Sequence, residues 1–200
     1  MLLALFVNLS ASASTVTFGT GMSGAIGDYD SLVDLIAGPT DGLPSHPYIV
    51  QPYPYSVIWN DPLSDTQWIS PGLASNGIDV TPMAPGTYVY NLHFYLPEDF
   101  SNAELNVQYY TDNDMNYITL NGNPISFTAS PQVTMGQGET SNSTFFKVGD
   151  NILTIGVINW SNDWNPTGVD LKGTVTYVPE PVTISLLILG GIGFLRRRNS

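Results

Sequence analysis

Residues 86–97, GTYVYNLHFYLP, place Tyr88, Tyr90, Leu92, Phe94 and Leu96 at every second position. Strand side chains alternate between two faces, so this spacing predicts a strand with one apolar and one polar face. Working outward, the same period recurs. In AELNVQYY it aligns Ala103, Leu105, Val107 and Tyr109, and in NILTIGVINW it aligns Leu153, Ile155 and Val157. NYITLNGNPISFT (116–128) reads as a hairpin, because Asn121-Gly122 is the preferred pair for a tight turn with positive φ. GTVTYV (173–178) reads as a last strand. Residues 15–84 are rich in Gly, Pro and Ser, with prolines at 39, 44, 47, 52 and 54, which predicts loops and short edge strands. One short helix is expected over 30–36, where apolar residues fall at 32, 33, 35 and 36. The fold class expected is all-β: an antiparallel β-sandwich spanning residues 14–177.

The chain has 200 residues and a formal charge of −12. Between Ser14 and Tyr177 the 16 acids face only Lys147 and Lys172, leaving −14 on the body. Nucleic-acid binding needs a basic footprint, so that class is excluded as a partner. Such acidity fits solubility, an extracellular setting, or cation binding. The absence of cysteine excludes disulfide staples, thiolate zinc sites and thiol nucleophiles.

The two ends differ from the body. Residues 1–13 form an apolar run closing on Ala11-Ser12-Ala13, the A-x-A form of a signal-peptide cleavage site, with cleavage expected after Ala13. No Lys or Arg precedes that run. At the other end, Val182 to Leu195 is a 14-residue apolar run with no polar face, followed at once by Arg196, Arg197 and Arg198. It is expected to be a short transmembrane helix with its arginines on the cytoplasmic side as a stop-transfer cluster. Pro179 and Pro181 keep that helix from running back into the body.

Val178-Pro179-Glu180-Pro181, the short apolar run and the arginine cluster together resemble the PEP-CTERM sorting signal of Gram-negative bacteria. The likeness covers residues 178–200. It implies that Pro179, Glu180 and Pro181 form the motif read by an exosortase-type membrane peptidase. It also implies export, an inner-membrane precursor, and delivery to the cell surface or to an extracellular polysaccharide matrix such as a biofilm.

The body resembles galactose-binding-like jelly rolls in scattered pieces. They are Gln67 to Pro71, Pro85 to Tyr90 with Phe94 to Pro97, Asp112-Asn113, Leu120-Asn121-Gly122, Gly149 to Leu153, and Asn165 to Gly168. The resemblance implies a fold; it implies no ligand, since such sandwiches host many roles.

Two constellations are candidate sites. Asp112-x-Asp114-x-Asn116 starts like a calcium loop, but Tyr117 stands where such a loop needs glycine and Asn123 where it needs a bidentate Glu. It is either a polar turn or a calcium site of another kind, to which Asp112 or Asp114 would contribute. Trp160 and Trp164, among Asn159, Asn162, Asp163 and Asn165, could stack on sugar rings; the alternative is packing on the core or their own loop. Tyr48, Tyr53, Tyr55 and Trp59 pose the same choice between a binding surface and cover for a sheet edge.

For catalysis the sequence offers little. His46 and His93 are the two histidines, neither in a G-x-S-x-G nor an H-E-x-x-H context, and no carboxylate pair stands out. The function expected is a non-catalytic structural or adhesive surface protein associated with extracellular polysaccharide. A carbohydrate-binding module is the alternative, and a glycan hydrolase is a more distant one.

Overall fold

The computed structural model describes residues 12–52, 59–129, 134–160 and 162–180. Residues 1–11 of the expected signal peptide, Tyr53, Tyr55, Pro181, the apolar run 182–195 and Arg196 to Arg198 lie outside them. The strands follow in chain order as β1 (Ser14–Gly19), β2 (Val33–Ala37), β3 (Tyr48–Ile49), β4 (Ile69–Ser70), β5 (Gly86–Leu96) and β6 (Phe100–Asp112). They continue as β7 (Asp114–Leu120), β8 (Asn123–Pro124), β9 (Ser126–Phe127), β10 (Gly136–Thr140), β11 (Gly149–Asn159) and β12 (Gly168–Pro179).

These strands build two antiparallel sheets packed as a sandwich. One runs β3-β4-β12-β6-β10-β9, with β1 also paired to β12; the other runs β2-β5-β11-β7-β8. The alternation that suggests β5 is the one that packs it: Tyr88, Tyr90, Leu92, Phe94 and Leu96 are all buried. Leu105, Val107 and Tyr109 of β6 meet them from the opposite sheet, with Leu153, Ile155 and Val157 of β11 alongside β5. Phe18 of β1 stacks on Phe94 of β5 between the sheets, centroids 4.8 Å apart. Among the described residues the buried Tyr90 hydroxyl has no hydrogen-bond partner. The hairpin forms as expected, with Asn121 and Gly122 at φ 50° and 82°, the paired positive values of a type I′ turn.

The helix expected over 30–36 is not formed; Val33–Ala37 is the edge strand β2. Its apolar residues alternate, Val33 and Leu35 inward and Leu32 and Ile36 outward. Asp30, the position that would cap a helix, instead accepts the Leu32 N–H at 3.2 Å, the Gly21 N–H at 2.6 Å and the Ser23 hydroxyl at 2.7 Å. That local bonding competes with a helical first turn, and pairing to β5 settles the outcome.

A second, smaller core lies under β3 and β4: Val50, Trp59, Trp68 and Val80. Trp59 stacks on Trp68 at 4.2 Å and 20°. Trp59 is therefore core. Tyr48, in the edge strand β3, is half-buried and stacked on Tyr29 at 4.4 Å with the two hydroxyls 2.7 Å apart.

Topology gives the sandwich two distinct ends. Ser14 pairs with Tyr177, and β12 continues through Val178 and Pro179, paired to Ser101 and Phe100. The Glu180 N–H then donates to the Asp99 carbonyl at 2.6 Å. Both ends of the described body therefore leave from one pole. β12 starts at the other, where Gly168 pairs with Asp112 and where β11 ends at Asn159. A strand of this length separates the poles by about 35 Å.

Candidate functional site

The pole opposite the termini carries both candidate constellations. It is built where β6 turns into β7, β11 runs out, and β12 begins. The Asn113 N–H donates to the Ile158 carbonyl at 3.1 Å, and its side-chain Oδ1 accepts the Trp160 N–H at 2.5 Å. The buried Asn159 amide donates to the carbonyls of Met83 and Ala84 at 3.2 Å each, and to Asn165 at 3.4 Å. Met83 and Asn165 exchange backbone bonds of 2.8 and 3.1 Å. Asparagine side chains thus fix the loop bases, and the indoles stand out from them. Trp160 is 57% and Trp164 62% exposed. Trp160 borders a shallow depression of about 550 Å³ with Pro85, Gly86, Ile158, Asn159 and Asn162. Neither indole joins a core cluster; that role falls to Trp59 and Trp68.

Asp112 and Asp114 diverge. Asp112 is buried, and its two oxygens accept from Trp59 Nε1 at 2.7 Å and from Asn113 Nδ2 at 2.8 Å. Its carbonyl accepts the Thr167 hydroxyl at 2.6 Å. Asp114 opens β7, with Oδ1 accepting the Met115 N–H at 2.8 Å. Asp112 is a pin joining the second core to the pole. Among the described residues no three His, Asp or Glu side chains come together as metal ligands.

A further cluster, with no local signature, lies on the outer face of the β2-β5-β11 sheet. His93 lies between two carboxylates, with Nδ1 3.0 Å from Asp150 and Nε2 3.2 Å from Asp34. His46 reaches Asp34 at 3.5 Å and the Val33 carbonyl at 2.9 Å. These groups come from four separate segments, so no local motif announces them. They tie the edge strand β2 to its neighbours.

Buried acids do structural work elsewhere too. Asp170, wholly buried on β12, accepts the Leu63 N–H at 2.7 Å and the Thr20 hydroxyl at 3.3 Å. Burial pushes its pKa above the ordinary carboxylate value, against the opposing pull of hydrogen bonds from Thr66, Leu63 and Thr20. A carboxyl whose folded pKa is raised holds its proton better folded than unfolded. Its contribution therefore favours folding at low pH and is lost as pH rises from the ordinary carboxylate value through the raised one. Comparing urea unfolding of wild type and Asp170→Asn across that range isolates this term. The stability of wild type relative to the variant is expected to fall with rising pH and then level off. A difference independent of pH would mean that Asp170 titrates alike in both states.

Compared with known proteins, the chain matches no family model, no curated protein and no solved structure.

Proposed function

We propose that this chain is exported and brought to the cell surface or extracellular matrix of a Gram-negative bacterium by its C-terminal tail. The sandwich, a jelly roll of the galactose-binding-like kind, then serves as a non-catalytic adhesive or structural component on extracellular polysaccharide. The observation that carries this reading is the polarity of the body. β1 and β12 pair at the pole from which the sorting segment departs, and the exposed Trp160 and Trp164 stand at the opposite pole. A body held at one pole would present its aromatic loops about 35 Å farther out. The engagement of Asp30, Asp112 and Asp170 in holding loops supports a non-catalytic role.

The second reading is a carbohydrate-binding module with a discrete site at Trp160 and Trp164. The depression beside Trp160 favours it, since sugar sites pair an apolar platform with a few convergent polar groups. The pinning role of Asp112 supports a form of this reading that needs no calcium.

The sorting step is tested in the native host. Glu180→Ala, and separately removal of Arg196 to Arg198, are expected to leave a full-length precursor in the inner membrane, read by mass in fractionated envelopes. Normal maturation and delivery of both variants overturns the sorting role.

A further inference from the structure

The outer faces of the two sheets treat their polar side chains differently. On the β2-β5-β11 sheet these groups bond one another: His93 with Asp34 and Asp150, and Thr154 with Asn91 at 2.7 Å. On the β10-β6-β12 face Gln108 and Gln137 line a groove of about 480 Å³, beside an Asn106 amide that donates to Glu104 at 3.5 Å. Strand register sets its floor as two polar rungs. Gln137, Gln108 and Lys172 are direct neighbours across three strands, and so are Glu139, Asn106 and Thr174. Ser126 of β9, paired with Glu139, borders one side. On the other side Lys172 is turned toward the loop before β4, with its Nζ 2.8 Å from Ser64 Oγ and 3.2 Å from Asp65.

From this geometry we propose that the groove binds a neutral polysaccharide chain laid across the strands. Its chemistry favours that occupant. Of the lining groups Glu139 is the carboxylate and Lys172 the ammonium, and Lys172 is already paired with Asp65 at 3.2 Å, so the groove offers an acidic chain no unpaired ammonium, in a body carrying −14. A polyanion would be repelled by that body. A polycation would find more carboxylates elsewhere than the one in the groove. The Gln108 and Gln137 amides can donate to and accept from sugar hydroxyls at once. Three strands give two spacings, a floor roughly 10 Å long, room for about two sugar units of a chain. The site is separate from the tryptophan pole. This inference rests on the reading of the body as a polysaccharide-associated protein, to which it adds a location and a ligand class.

The test is calorimetric titration of the full-length chain in detergent with maltohexaose, cellohexaose and xylohexaose, and with hexagalacturonate as an anionic counterpart. At least one neutral probe is expected to bind saturably, with hexagalacturonate weaker. Gln108→Ala with Gln137→Ala should lower that affinity at least tenfold, and Trp160→Ala with Trp164→Ala should leave it unchanged. Nuclear magnetic resonance gives a readout without substitution: the Gln108 and Gln137 side-chain amide signals should shift on titration. Binding lost with the tryptophans and kept without the glutamines overturns the groove but leaves the polysaccharide-associated reading standing. No saturable binding to any neutral probe, or a preference for hexagalacturonate, overturns the groove's ligand class.

Discussion

Asn151→Ala is expected to remove about 3 kcal/mol of folding stability, a melting-temperature drop on the order of 6–12 °C. Asn151 is fully buried. Its amide donates to the carbonyls of Lys147 and Gly149 at 2.8 and 3.0 Å, and its Oδ1 accepts from Lys147 N–H at 2.9 Å and Asn121 Nδ2 at 2.8 Å. All four bonding positions of one amide are filled. Alanine leaves those four partners to find others, and a buried group left unpaired costs more than a hydrogen bond normally contributes. Asn121 extends the hub, since its Nδ2 also reaches the Phe145 carbonyl at 2.8 Å and its Oδ1 accepts the Ile152 N–H at 3.0 Å. A double-mutant cycle with Asn121→Ala should therefore show coupling of about 1 kcal/mol, because the two amides share a bond. Asn151→Asp keeps the acceptor but sets a carboxylate against two carbonyls, so it should not rescue. A loss under 1 kcal/mol for Asn151→Ala would mean that water takes over the amide's bonds.

That hub illustrates what the sequence makes legible. Leu120-Asn121-Gly122 and Gly149 to Leu153 are readable as local pieces, a turn and a strand start. That they hydrogen-bond each other across 30 positions is visible only in three dimensions. Strands that bury one full face, such as β5, β6 and β11, display a period of two in apolar side chains and can be read directly. β10 cannot, because its inward positions are Gly136 and Gly138, which write no hydrophobic signal. Gly138 is required there, since a Cβ would lie 2.8 Å from Val107 Cγ2. β2 misleads because the outward Leu32 and Ile36 fill in a helical pattern around the inward Val33 and Leu35. The tryptophans could be named as candidates but not sorted. Nothing local says that Trp59 and Trp68 are core while Trp160 and Trp164 are exposed. Likewise the body's acidity gives a total, and only the fold shows that Asp30, Asp112 and Asp170 are spent inside.

Trp68→Ala should be the most damaging single truncation in the second core, at about 3–5 kcal/mol. Trp68 is fully buried, stacks on Trp59 at 4.2 Å and on Tyr110 at 6.4 Å, and donates its Nε1–H to the Asn60 carbonyl at 3.0 Å. The small cluster of Val50, Trp59, Trp68 and Val80 has little else to close the cavity that alanine would leave. The damage should also travel in a defined direction. Trp59 rests on Trp68 and holds Asp112, Asp112 accepts from Asn113, and Asn113 holds the Trp160 backbone. Loss of Trp68 should therefore speed hydrogen exchange at Asn113 and Trp160 of the far pole, and leave the Asn121–Asn151 hub at the opposite pole protected. Trp68→Phe keeps an aromatic face and gives up the indole bond, so its cost should fall near 1–2 kcal/mol, with a shifted urea midpoint and an unchanged slope. Equal costs for alanine and phenylalanine would shift the weight from the stacked ring to the bond with Asn60. Faster exchange at both poles would mean that the two cores unfold as one unit, and the aromatic pole would then have no stability of its own to tune.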